Sequence, residues 1–405
     1  MATFRYKGRE SATNKIVRGS IDGATEGAAA KALMAQGIVP LDMHMAGSGL
    51  SSIFGPHVSS KNLVIFTRQL ATMMNAGLPL TQALDTSVQQ TSDKTLKSII
   101  STVLNEVNGG APLSDSIAKY PNVFNNVYIA LVKSGETSGT LDKSLLRLAD
   151  QLEHDADQRS KIINAMIYPA IVLVVIIAVV IFMMVSLVPE VVNMYDSFGK
   201  TLPVTTQILM HITNFVTKYW YIVLVGLALI IFFMRRWHQT PKGKKSSDAF
   251  KLNIPLFKNL FRKLYMSRFS RTMEILLGAG VSMMEALKIS ADAVNNEVVK
   301  EEVLNAVSKV RNGRPLSEAL SNQDYILSFV PQMVRIGETS GNIDSMLGKV
   351  ADYYDKEVDN AINAISTLIE PILMVLMAFM IGFIVLAVLL PIYQLSDTSG
   401  MGGGM

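Results

Sequence analysis

"FTRQLATMMNAGLPLTQAL" (Phe66–Leu84) and "FSRTMEILLGAGVSMMEAL" (Phe269–Leu287) align without a gap across 203 positions of separation. The correspondence continues on both sides of this core. "GAPLSDSI" (Gly110–Ile117) matches "GRPLSEAL" (Gly313–Leu320), and "SGETSG" (Ser134–Gly139) returns as "GETSG" (Gly337–Gly341). "TLDKSLLRLADQLEHDAD" and "NIDSMLGKVADYYDKEVD" follow, and each copy then reaches a proline, Pro169 or Pro371, at the mouth of an apolar run. Self-similarity over this length, with one residue of register slip, marks a duplicated unit.

Each copy reads as short helices. Phe66, Leu70 and Met73 fall on one helical face, Gly77 ends that segment, and Pro79 and Pro112 stand where a first turn tolerates proline. Short turns favour a bundle of about six helices per copy. The GETSG segments read as turns ahead of a long helix with apolar stripe Leu141, Leu145, Leu148 and Leu152, matched by Ile343, Leu347, Val350 and Tyr354. Gly135 or Gly139 supplies a positive φ in this reading. Thr137, Ser138 or Thr140 caps the next helix, and Glu136 suits its dipole. Gly337, Glu338 and Gly341 repeat these roles, and the same six positions are candidate partner contacts.

Composition points to a membrane. The 405 residues are 49% hydrophobic and 17% charged, with formal net charge +4 and no cysteine. That balance gives no reason to expect a nucleic-acid partner, and thiolate chemistry is excluded. The polar, charged opening "MATFRYKGRE" does not read as a secretory signal. Ala170–Val188 carries no charge and spans about 28 Å as a helix, close to one hydrocarbon core. Pro371–Leu390 is equally apolar, and Tyr219–Met234, with "YWY" and Trp237 at its ends, is a shorter third run. The basic segment "RRWHQTPKGKK" (Arg235–Lys245) places the end of the second run in the cytoplasm, giving N-terminus in, three crossings and C-terminus out.

The expected fold is therefore an all-α membrane protein with two duplicated cytoplasmic bundles, three transmembrane helices and a small N-terminal α+β module. In residues these are 1–45 for the module, 46–60 a linker, and 61–168 the first bundle. Residues 169–188 form the first span, 189–215 a periplasmic loop, and 216–234 the second span. Residues 235–370 form the second bundle, 371–390 the third span, and 391–405 a periplasmic tail. The module reads as strands around "TFRYKG", "KIVRGSID" and "IVPLDM", with a helix over Thr25–Gly37.

Catalytic patterns are missing. "MYDSFGKT" (Met194–Thr201) lacks the first glycine of a phosphate loop, and no metalloprotease or nucleophile-elbow motif occurs. His154, Asp155 and Asp157 read as a solvated helix face, as do Arg147, Asp150, Lys349 and Asp352. No span carries an ionisable centre, which disfavours a transporter or permease, the main alternative. No enzyme activity, metal or cofactor is expected.

The duplicated unit, the return crossing Tyr219–Met234 that brings the second copy back to the cytoplasmic side, and the GETSG segments together resemble the inner-membrane platform proteins of type II secretion and type IV pilus assembly (the GspF/PilC family). "LNIPLFKNLFRKLYMSRFSRTMEILLGAGVSMMEALKISADAVNN" (Leu252–Asn296) is the most specific stretch, and "FRYKGR" is suggestive of the MSHA-type pilus subfamily. The resemblance implies a bacterial inner-membrane protein without catalysis of its own. Its implied partners are a hexameric cytoplasmic assembly ATPase, pilins or pseudopilins, other inner-membrane assembly proteins, membrane lipid and further copies of itself. Pro169 and Pro371 are then candidate hinges where bundle motion passes into the spans.

Overall fold

The computed structural model describes residues 2–10, 16–23, 26–35, 38–45, 58–197, 218–238, 240–255, 257–321 and 323–400, with single positions between 207 and 215. Most of the expected linker (46–57), part of the expected loop (198–206, with the end of "MYDSFGKT") and the last residues of the tail (401–405) lie outside them.

At the N-terminus, β1 (Ala2–Glu10), β2 (Ile16–Gly23) and β3 (Ile38–Met45) form an antiparallel sheet in the order β2-β1-β3, and α1 (Glu26–Ala35) connects β2 to β3. The first copy of the repeat is α2 (Ser60–Asn75), α3 (Leu80–Gln90), α4 (Lys94–Asn108), α5 (Leu113–Ala118), α6 (Asn126–Ser138) and α7 (Leu141–Ser197). An apolar helix α8 (Trp220–His238) and a basic helix α9 (Pro241–Asn253) follow. The second copy repeats the six as α10 (Lys258–Gly278), α11 (Met283–Ala293), α12 (Glu297–Arg311), α13 (Leu316–Ser321), α14 (Phe329–Ser340) and α15 (Ile343–Gly400).

Local chemistry sets the boundaries. Asp93 accepts from the N–H groups of Thr95 and Leu96 at the start of α4, and Asn296 does the same for Val298 and Val299 at α12. The two editions of the first helix bury matched faces, with Phe66 and Leu70 answered by Phe269 and Met273. The copies do not keep separate cores. Phe66, Leu84, Leu131 and Leu148 belong to one continuous apolar cluster with Phe269, Leu287, Val334 and Leu347.

Helix α9 was not legible as a separate element. Thr240 caps it, and its Asp248 carboxylate accepts from the Glu297 N–H at the start of α12 while pairing with Lys251 at 2.9 Å. Asp248 is 1% exposed, so α9 ties the end of α8 to the second copy. Gly243 sharpens the joint, since a Cβ there would lie 1.9 Å from the Trp237 carbonyl oxygen.

The two long helices differ from the expected divisions at Pro169 and Pro371. Helix α7 passes through both Pro169 and Pro189 to Ser197, and α15 passes through Pro371 to Gly400. Each measures about 85 Å at 1.5 Å per residue, far more than one hydrocarbon thickness. A proline within a helix omits one backbone bond, and the flanking turns hold the rod together. Both helices are long and apolar enough to cross a membrane. Apart from Ile176 and Ile384, their apolar runs are left largely uncovered by the other described residues: Phe182 is 67% exposed and Phe379 78%. A soluble core helix would hide such side chains, whereas lipid tails solvate them.

Phe269→Ala should lower stability to denaturant in detergent by about 3–5 kcal/mol, the usual cost of emptying a packed aromatic site. Phe379→Ala on the uncovered apolar surface should change it by less than about 1 kcal/mol.

Candidate functional site: the repeated GETSG segments and the joint between the copies

The GETSG residues do not form a loop leading into the long helix. Gly135–Ser138 and Gly337–Ser340 are the last turns of α6 and α14, and each residue type has its own task. Gly135 is helical and buried where α6 crosses α7. A Cβ built on it would lie 2.7 Å from Ser144 Oγ and 2.9 Å from Leu141 Cα, and on Gly337 2.8 Å from Ile343 Cα. Only hydrogen in place of a side chain lets the two backbones approach so closely. Gly139 and Gly341 end the helices at φ +70° and +75°. The Thr140 N–H then donates back to the Gly135 carbonyl at 2.8 Å, and the Asn342 N–H to that of Gly337 at 3.0 Å, closing each terminus.

Glu136 serves a helix other than the one expected. Its carboxylate accepts from the Leu113 and Ser114 N–H groups at the start of α5, the latter at 3.0 Å. Glu338 accepts from the Leu316 N–H at 2.6 Å and the Ser317 hydroxyl at 2.5 Å at the start of α13. Pro112 precedes α5 with no capping side chain, so the orphan donors are met by an anion supplied from two segments along the chain. Its sequence signal was the pairing of P-L-S with G-E-T-S-G in both copies, and a cap 23 residues away leaves no local spacing to read. Of the other expected cap residues, Thr137 Oγ1 donates to the Lys133 carbonyl, and Ser138 and Thr140 share a hydrogen bond at 2.7 Å.

A second repeated device clamps the first helix of each copy to its long helix. Arg68 on α2 meets Glu153 in a bidentate pair at 2.6 Å, and Asp150 at 2.5 Å. Arg271 on α10 meets Asp352 at 2.5 Å, Asp355 at 2.8 Å and Glu274 at 2.8 Å. Asp150 and Asp352, expected as plain solvated charges, are therefore paired although still exposed. Exposed pairs of this kind contribute on the order of 0.2–1 kcal/mol each.

The copies diverge where they meet. Asp355 takes hydrogen bonds from Arg271 and Ser267 of its own copy, and from His154 (3.1 Å) and Gln158 (2.7 Å) on α7. Lys161 bonds Asp359 at 2.7 Å one turn further on. Beyond this layer Ile162 and Ala165 pack with Leu260, Val358, Ile362 and Ile365, ahead of the apolar runs. His154 and Asp155 thus lie at the joint and not on a solvated face. Burial pushes Asp155 upward, opposed by the charge of Arg268. Burial also works against the charge of Asp355, but the bonds from His154, Ser267 and Arg271 outweigh it and hold the carboxyl at about 2. His154 is raised by its bond to Asp355, against burial.

Above this layer a cleft of about 400 Å³ separates the copies, lined by Arg147, Gln151, His154, Arg271, Glu274 and Gly278 among others. Elsewhere the contact is close: Ser134 Oγ donates to the Ala279 carbonyl at 2.6 Å, and Asn126 to Asp292 at 3.3 Å. Among the described residues no group of three or more His, Asp or Glu side chains is arranged to hold a metal ion.

A family model for type II secretion system protein F matches residues 66–189 and again 269–391, the two copies seen in the fold, and a model for the N-terminal domain of that protein matches residues 1–44. The chain is 36% identical to the type IV pilus assembly protein PilC of Thermus thermophilus, over 98% of this chain and 99% of the relative. It is 34% identical to PilC of Pseudomonas aeruginosa over 91% and 98% of the two chains. It is 31% identical to the type II secretion system protein F of Vibrio cholerae over 98% and 99%.

Glu136→Ala leaves the α5 donors without their anion and should destabilise the first copy by about 1–2 kcal/mol, read from the denaturation midpoint. Gly135→Ala should separate α6 from α7 and cost more than Gly139→Ala, which strains one exposed residue. The joint should also depend on pH. His154 has a folded pKa above the usual 6.5, so its contribution is complete below about 6.5 and is lost as pH rises through the raised value. Asp355, depressed from 3.8 to about 2, contributes fully above about 4 and loses its contribution as pH falls towards 2. NMR titration of labelled histidine in nanodiscs should place His154 above 6.5, and Asp355→Asn should bring it down.

Proposed function

The chain belongs to the type II secretion system protein F family, and from that premise we propose that it is the inner-membrane platform of a type IV pilus or type II secretion machine. It couples a hexameric cytoplasmic assembly ATPase to the extraction of pilins or pseudopilins from the bilayer, with other inner-membrane assembly proteins beside it. It does this by binding and moving, without a catalytic step. The observation that carries this reading is the continuity of α7 and α15. Each runs without a break from the shared helical core into an uncovered apolar run, so a push on the core reaches the bilayer through about 40 Å of helix, residues 141–168 in the first copy.

The reading places both helical copies in the cytoplasm and the ends of α7 and α15 outside. Helix α8 is then the return crossing, with Arg235 and Arg236 at its cytoplasmic end as the distribution of basic residues requires. The N-terminal α+β module also faces the cytoplasm. The exposed tips Thr137–Gly139 and Thr339–Gly341 are the part of the GETSG segments left for a partner, because the glutamates are engaged inside the chain. A transporter is not favoured, since neither apolar run of α7 or α15 has an ionisable side chain at its centre.

Pro169 and Pro371 each soften a rod at the mouth of its apolar run. Proline removes the donor that would meet the carbonyl four residues earlier, at Ala165 and Thr367. Replacing both with alanine should stiffen the rods and reduce piliation or secretion severely while leaving the amount of protein in the membrane unchanged. Normal filament output from the double variant would overturn the lever reading. Co-purification of the assembly ATPase with the full-length chain, scored separately, tests the partner.

A further inference from the structure

The two copies meet head to tail. Helix α6 of the first lies against α10 and α11 of the second, where Ser134 reaches the carbonyl of Ala279 in the turn between them. Were the copies related by a two-fold, the reciprocal contact would form as well, with α14 lying against the α2–α3 turn. It does not form. Ile336, which takes the place of Ser134, is 51% exposed, and Ala76, which takes the place of Ala279, is exposed too. The chain therefore contains one used contact and one unused edition of each of its two halves.

The unused halves keep the shape of the used ones. Ala76–Leu78 and Ala279–Val281 make the same turn: Gly77 and Gly280 have φ of +87° and +83°, and Leu78 and Val281 donate to Met73 and Leu276 at 3.1 and 3.0 Å. The ledge presented by the turn between α2 and α3 is thus a second edition of the one that already accepts a helix. Helix α14 ends in the same glycine cap as α6 and exposes an isoleucine, Ile336, where α6 has a serine.

The geometry of the rods permits repetition. Lys161 and His154 on α7 reach Asp359 and Asp355 on α15, within one helical turn of their own equivalents, Asn363 and Lys356. The operation that relates the copies shifts them along the rods by at most about 6 Å, and the rods run in the same direction. Applying it again brings in another chain with its apolar runs still parallel to the first, as one bilayer requires. A heterologous contact of this kind generates a ring when its rotation closes.

We propose that a second copy of this chain docks the turn between its α2 and α3 on α14 of the first, with Ala76 of one chain against Ile336 of the other. Oligomerisation is then head to tail and repeats the junction already present inside each chain. This goes beyond the platform reading and does not depend on how an ATPase engages it.

The chain has no cysteine, so introduced thiols report without background. Ile336→Cys in one tagged chain and Ala76→Cys in a differently tagged chain, coexpressed and treated in membranes with a short bismaleimide, should give a covalent dimer bearing both tags. Ser134→Cys with Ala279→Cys in a single chain should give a cross-linked monomer and shows that the reagent reaches these turns. Cross-linking of that control without a doubly tagged dimer would overturn the proposal, as would capture of a different protein by Ile336→Cys. Ile336→Asp, at an exposed position, should weaken self-association in nanodiscs at least about tenfold, the effect of about 1.4 kcal/mol. Unchanged association would count equally against it.

Discussion

Asp355 ties its own helix to two others with one carboxylate. Arg271 and Ser267 approach it from the first helix of the second copy, and His154 and Gln158 from the long helix of the first. The carboxylate is half-buried, and its two oxygens are met by four donors, which offsets what it loses in hydration. Lys161 and Asp359 extend the joint by a turn, and the Ile162–Ile365 cluster seals it before the apolar runs begin. The rods consequently leave the helical core side by side, at a fixed spacing and height.

Behind that joint, each copy is braced by the GETSG segment. Its first glycine allows α6 to press on α7, its glutamate pins the short helix α5, and its last glycine turns the chain out of α6 and into α7. The same three contacts recur at Gly337, Glu338 and Gly341 in the second copy. The clamp between Arg68 and Glu153 and that between Arg271 and Asp355 began as the same device. The second became the joint between the copies, because its carboxylate also faces α7.

The interface is lopsided for the same reason. Two lobes related by a plain two-fold would satisfy each other and stop, whereas head-to-tail packing leaves one face of each kind open at the ends. The single continuous core across both copies includes Leu145 and Leu148 of one rod and Leu347 and Val350 of the other, so the rods are part of that core at their N-terminal ends.

Much of this was written in the linear order of residues. The duplication, the six-helix content of each copy and the apolar runs follow from periodicity, punctuation and freedom from charge, which act over a few neighbouring positions. The special character of the GETSG glycines was also visible, but the tasks of Gly135 and Glu136 were not, because a helix crossing and a remote cap involve groups brought near only by folding. His154 looked like one more charge on a hydrophilic face. Its partner is 201 residues away, and sequence spacing carries no trace of a contact between helices of different copies. Sequence alone determined that there would be two alike bundles and long apolar helices. Tertiary structure decided that the bundles share one core, that a half-buried carboxylate ties their rods together, and that they meet by unlike faces, because burial and electrostatic pairing depend on distance in space.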